Sequence, residues 1–196
     1  SRYMAHRLAE EGVDGAIAMP LGVDVETFRP EEGDREALLR KLDLPSRTRL
    51  LVFAGRPARE KRLDVLVEAV ERLGAPYRLV LIGAGEGAPR SNLVIHLPYE
   101  ANQAALAAVM ASCDAFVHAN IAEPFGLIAL EAMACGLPVV GPSGGGVAEN
   151  IDDSVGQLAS ATGASAFAEV RPLDRMVARS SRPTGNWNLP RGWKIS

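Results

Sequence analysis

The sequence predicts an α/β protein built on a doubly wound parallel sheet, and three observations carry that prediction. Continuous apolar runs of strand length recur at residues 50–54, 78–82, 92–96, 115–118 and 138–140. Most of these runs are separated by segments with helical periodicity, the order expected when a parallel sheet is covered on both faces. Loops rich in glycine, charge or both follow residues 53, 82, 118 and 140, on the side where such sheets collect ligands.

Each element follows from its own residues. Residues 1–11 read as an amphipathic helix with Tyr3, Met4, Leu8 and Ala9 on one side and a stop at Gly12. Residues 16–21 read as a short strand and residues 22–30 as a turn-rich connection. After the strand at 50–54 come a cationic loop at 55–61 and a helix at 63–73. The strands at 78–82 and 92–96 flank a glycine-rich loop, and a helix at 101–112 leads to the strand at 115–118. Next come a loop through Glu123, an apolar helix carrying Glu131, a stop at Gly136, the strand at 138–140, a glycine turn and a weak strand at 155–158. A helix begins at 164–169, shorter than expected there.

Composition excludes several classes. The chain has 196 residues, 47% apolar and 23% charged, which suits one large soluble domain rather than two full ones. A formal net charge of −3 gives no support for a nucleic-acid partner. The most apolar stretch, residues 101–122, is interrupted by Asn102, Gln103, Asp114, His118 and Asn120, which argues against a membrane span. Cys113 and Cys135 have no metal-ligand spacing and read as reduced, buried thiols of a cytoplasmic protein. Residues 171–196 hold six basic residues, one acid and both tryptophans without periodicity, so a disordered or appended tail is expected ahead of a basic partner-binding arm.

The chemistry concentrates in two loops. Glu123 precedes Pro124, Phe125 and Gly126, and the helix that follows places Glu131 among apolar or small neighbours, where a charge needs a partner. The free N–H groups of the helix start at Gly126 and Leu127 make a ready anion site. Arg56 and Lys61, with Arg59 and Arg62 nearby, form a loop suited to a diphosphate, since Arg grips two oxygens and Lys adds a point charge. The same cations would be unremarkable on any solvated surface. His118 reads equally as a satisfied strand-end histidine or as a lining residue of the pocket. Gly145 and Gly146 permit close backbone approach to a ligand, or simply form a turn. Gly83, Gly85 and Ala88 satisfy a dinucleotide-binding pattern, but Pro89 follows at once and no acidic residue stands at the required distance, so the match is read as a decoy.

The stretch from Glu123 to Glu131, with seven residues between the two, resembles the Glu-x7-Glu signature of retaining GT-B-fold glycosyltransferases. That is the group of glycosyl transferases that includes glycogen synthases, sucrose-phosphate synthases and bacterial mannosyltransferases. The pairs Gly55, Arg56 and Glu60, Lys61 stand as the group's Gly-Arg and Glu-Lys pairs do, although Arg62 replaces its usual Gly or Asn. Gly145, Gly146 and Glu149 match its Gly-Gly-x-x-Glu turn, and residues 20–30 resemble its inter-domain linker.

The resemblance implies a Rossmann-like C-terminal half of a GT-B fold. Residues 1–30 would be a remnant of an N-terminal domain plus linker, 31–170 the nucleotide-sugar-binding domain and 171–196 an irregular basic tail. It implies transfer of a hexose from a UDP-, GDP- or ADP-sugar with retention of configuration. Glu123, Arg56 and Lys61 would be catalytic. Glu131 would hold the ribose, and Phe125, Gly126, Leu127, Leu97, His118, Gly145 and Gly146 would line the donor site. No metal or cofactor is expected. Acceptor binding, and any peripheral membrane contact, would fall to the missing half, leaving this chain alone slow or inactive. The rival readings are a non-catalytic nucleotide-binding or regulatory module of the same fold, and a nicotinamide-dependent oxidoreductase resting on Gly83 and Gly85 alone.

Overall fold

Six strands, β1 (Arg49–Ala54), β2 (Tyr77–Ile82), β3 (Val94–Leu97), β4 (Ala115–Val117), β5 (Val139–Pro142) and β6 (Gly156–Ala159), form one sheet in the order β3-β2-β1-β4-β5-β6. Every neighbouring pair is parallel, with Leu51 opposite both Leu79 on β2 and Ala115 on β4. This computed structural model describes residues 1–85, 87–160 and 162–169. The expected basic tail lies outside the described residues.

The strand side chains divide by parity, as the pleat requires. Leu50, Val52, Val80, Ile82, Phe116 and Val139 pack into one core with Ala107 and Met110 of α4 (Gln103–Ala111) and Ala129, Leu130 and Met133 of α5 (Leu127–Ala134). Leu51, Phe53, Leu79, Leu81, Val117 and Val140 pack into a second core with Leu66 and Val70 of α3 (Leu63–Leu73) and Phe167 of α6 (Ala164–Ala168). Two cores on opposite faces explain why the central strands read as unbroken apolar runs.

The strand order reverses between β1 and β4, so the loops leaving their carboxyl ends lie side by side at a topological switch point. Those are the loops that carry Lys61 and Glu123.

Most expected elements are present within a residue or two, and α3 occupies 63–73 as read. The amino-terminal helix α1 (Arg2–Glu10) forms but buries none of its residues. The strand expected at 16–21 does not form. Its apolar residues have no ladder to join among the described residues, and Ile17 and Met19 stay 87% and 74% exposed. The connection is fastened instead by Phe28, which is buried in the first core. Helix α2 (Arg35–Lys41) lies outside the sequence-based expectation, although its signal is present: the Asp34 carboxylate accepts from the Ala37 N–H at 2.8 Å. Cys113 and Cys135 are free and buried, and burial pushes both thiols well above the usual range. Among the described residues no helix is long and apolar enough to cross a membrane.

Candidate functional site

Strand β4 delivers the site. It stays buried and apolar through Val117 and then turns polar, with His118 and Asn120 still buried and Glu123 half-buried in the loop beyond. Lys61 arrives from the end of the short 3-10 helix Arg59–Lys61 after β1. Its Nζ donates to Oε2 of Glu123 at 2.7 Å, bridging the switch point. Asn120 Nδ2 donates to the same oxygen at 3.0 Å, while Asn120 Oδ1 accepts from the Ala122 N–H. Burial works to raise the Glu123 carboxyl, but the hydrogen bond and charge of Lys61, with His118 and Asn120 behind them, hold it below the usual carboxylate range. Glu123 is therefore an anion at neutral pH.

His118 is fully buried between Phe53 and Phe116, whose ring centroids lie 6.3 and 6.4 Å from its own. Burial pushes its imidazole down to about 4, a fall that Lys61 reinforces and Glu123 opposes. It is neutral at pH 7.

The helix start is as open as its sequence suggests. Gly126 enters α5 with φ of +85°, and no side chain caps the helix. A Cβ at Gly126 would stand 2.2 Å from Val147 Cγ2, so both the backbone and the space require glycine. The glycine turn after β5 supports this loop. Gly146 donates its N–H to the Glu123 carbonyl at 2.6 Å, and a Cβ there would strike the Pro124 carbonyl. Asn150 adds hydrogen bonds to the carbonyls of Phe125 and Gly146 at 3.1 and 3.3 Å. Neither Asn150 nor this second glutamate-loop anchor follows from the motifs, though a lone amide between Val147 and Ile151 was a signal that it had a fixed partner. Glu149, the last residue of the Gly-Gly-x-x-Glu match, accepts from the backbone N–H groups of Arg2 and Tyr3 at the start of α1.

The remaining predicted residues stand apart from this cluster. Arg56 is exposed in the loop after β1 and makes no hydrogen bond or ion pair with any described residue. Glu131 is half-buried on the second turn of α5 and likewise unpaired among the described residues, and burial raises its carboxyl. Leu127 is exposed. Leu97 closes β3 and lines an open cavity of about 480 Å³ with Gly85, Arg90, Ser91, His96 and Pro98. The described residues between β2 and β3 form turns without a helix, so Gly83 and Gly85 lack the helix start that a dinucleotide fingerprint needs. Arg62 adopts a left-handed conformation with φ of +50°, a physical reason for Gly or Asn at this position, and its Nη1 is buried without a hydrogen-bond partner.

The arrangement offers an ionised carboxylate and a lysine across a switch point and an uncapped helix start, with an exposed arginine in the loop after β1 and a carboxyl on α5 that have no partner among the described residues. Several known proteins resemble the chain over most of its length. The D-inositol 3-phosphate glycosyltransferase of Xylanimonas cellulosilytica is 35% identical, over 90% of this chain and 46% of its own length. Among solved structures, sucrose-phosphate synthase of Thermosynechococcus elongatus superposes with a TM-score of 0.73 at 25% identity, covering 92% of this chain and 48% of that one. HepE of Anabaena, solved in complex with UDP and glucose, gives a TM-score of 0.73 at 21% identity over 91% of this chain and 55% of its own, a likeness of fold. The chain thus spans about half the length of the proteins it matches. The family model described as "Glycosyl transferases group 1" matches residues 34–171, and the chain belongs to that family.

Proposed function

We propose that the chain is the donor-binding part of a retaining hexosyltransferase that uses a nucleoside diphosphate sugar. The observation that carries this reading is the Lys61–Glu123 pair at the switch point; Arg56 in the loop after β1 and Glu131 on α5 have no partner among the described residues. A carboxyl raised by burial and lacking a partner is a group poised for ligand hydroxyls. Glu131 would take the ribose hydroxyls and Glu123 the hydroxyls of the sugar. Arg56, Lys61 and the N–H groups at the start of α5 would hold the diphosphate.

When the bond from the anomeric carbon to the diphosphate oxygen breaks, negative charge grows on the leaving group. The two cations and the positive end of α5 meet that charge, the electrostatic role that a divalent ion plays elsewhere, so no metal is assigned a part. The acceptor then enters from the face the diphosphate left, which retains configuration. Relatives named for transfer to D-inositol 3-phosphate make a phosphorylated inositol the first acceptor to try with a chain that includes the other half.

Calorimetric titration with UDP, GDP, ADP and NAD tests the donor site. One nucleoside diphosphate is expected to bind, NAD is not, and Glu131→Ala should weaken binding about tenfold or more, or 1.4 kcal/mol. A folded chain that binds none of them would overturn the reading.

A further inference from the structure

The least explained group in the molecule is His118. A buried polar atom without a partner is uncommon and costly, yet both ring nitrogens of His118 are buried and unpaired among the described residues. Its backbone is fixed, the N–H donating to the Val140 carbonyl at 2.9 Å. The ring is held between Phe53 and Phe116 with interplanar angles of 10° and 20°, so it has little room to turn away. A phenylalanine or leucine would fill such a slot without leaving nitrogen atoms unsatisfied.

Its one polar neighbour explains the choice of residue. Nε2 stands 3.6 Å from Oε2 of Glu123, just beyond hydrogen-bond reach. That oxygen is already taken by Lys61 at 2.7 Å and Asn120 at 3.0 Å, and no hydrogen bond from a described residue reaches Oε1. Two donors share one oxygen with a third group just out of reach, while the other oxygen is left over among the described residues. On the donor-site reading above, Lys61 must turn to the diphosphate, and Glu123 then loses its closest partner at the moment it has to hold the sugar.

We propose that His118 is a positioning residue for Glu123: when a bound diphosphate draws Lys61 away, Nε2–H of the neutral imidazole takes over Oε2, keeping the carboxylate fixed with Oε1 left for the sugar hydroxyls. A shift of a few tenths of an ångström closes the contact. A neutral donor suits this task, because it orients the carboxylate without competing as a second cation for the diphosphate.

The proposal separates sugar binding from nucleotide binding. Titrations with the pairs UDP and UDP-glucose, GDP and GDP-mannose, and ADP and ADP-glucose are compared for the unaltered chain, His118→Leu, His118→Gln and His118→Asn. In the pair that binds, the leucine variant should hold the nucleoside diphosphate as before but lose about tenfold for the sugar nucleotide, the worth of one hydrogen bond to a charged group. Glutamine, whose amide nitrogen mimics Nε2, should restore most of that loss, and asparagine, which mimics Nδ1, should not. Equal losses for both members of the pair, no loss in the leucine variant, or equal behaviour of glutamine and asparagine would overturn the role. No binding of any pair by the unaltered folded chain would sink the donor-site reading and the ligand-linked role with it. A ligand-free measurement keeps the contact itself open to disproof even if the leucine variant fails to fold. Nitrogen NMR of the imidazole should find the proton on Nε2, and the Nδ1–H tautomer would turn a lone pair toward the carboxylate and end the proposal.

Discussion

The two ends of strand β4 carry buried or half-buried carboxylates held in opposite ways. Asp114, before the strand, accepts from Arg35 at 2.7 Å, from Arg49 at 3.2 Å and from the Leu50 N–H at 2.7 Å, so both oxygens are occupied. Its partners come from α2 and β1, and the network closes the amino edge of the sheet. Glu123, after the strand, has its partners on one oxygen, with a histidine close by whose ring nitrogens are unpaired among the described residues. Satisfied charges fasten a fold. On the donor-site reading, unsatisfied ones at the carboxyl edge are where a ligand would complete the bonding.

Matched amide substitutions test that contrast most strongly. Asp114→Asn should cost about 3 kcal/mol in urea denaturation, because it leaves two guanidinium groups facing a neutral amide, while nucleotide affinity of the folded fraction stays unchanged. Glu123→Gln should cost about 1 kcal/mol, since the amide oxygen still accepts from Lys61, but sugar-nucleotide affinity should fall about tenfold or more. Similar stability losses at both ends would erase the distinction.

The pH dependence sharpens it. Glu123 is held below its usual range, so its contribution is present above the unfolded carboxylate value near 4.5 and is lost as pH falls through the lower folded value. Glu131 is raised by burial, so the folded state holds its proton more tightly and stability falls as pH climbs past 4.5 through the raised folded value. Glu131→Gln is therefore expected to stabilise the chain at pH 7 by several tenths of a kcal/mol, about what a half-buried unpaired charge costs, while weakening nucleotide binding. Thermal melts at pH 5 and 7 check the sign, and a loss of stability at pH 7 would mean that Glu131 has a structural partner. A change of stability alone, without any in binding, is expected at Arg62. Glycine there should relieve the left-handed backbone and raise stability by about 0.5–1 kcal/mol, unless the buried guanidinium has a role that its loss would expose as a lower melting temperature.

Much of this was legible residue by residue. The strands and α3 follow from local apolar periodicity, and Gly126 was readable as the entry to α5 because a glycine ahead of an apolar helical run marks the end of a loop, while its φ of +85° was decided by the fold. Residues 16–21 show where locality fails, since they form an apolar run of strand length but none of the described strands pairs with them. The short helix α2 was hidden for the complementary reason: about two turns carry too few apolar positions to show a period, and its cap at Asp34 is the strongest mark. Gly146 and Glu149 were readable as a motif but not in their contacts, which reach Glu123 and α1 respectively.

The amino-acid order by itself determined the parallel α/β architecture, the two glutamates on either side of the α5 start and the cationic loop after β1, because each depends on spacing within a few residues. Only the tertiary structure decided that Lys61 and Asn120 would share one oxygen of Glu123, that His118 would lie unpaired beneath it, and that Asp114 would be saturated instead. Those outcomes depend on strand order, which sets β1 beside β4 and brings together side chains 62 positions apart in the chain, a separation that no local pattern encodes.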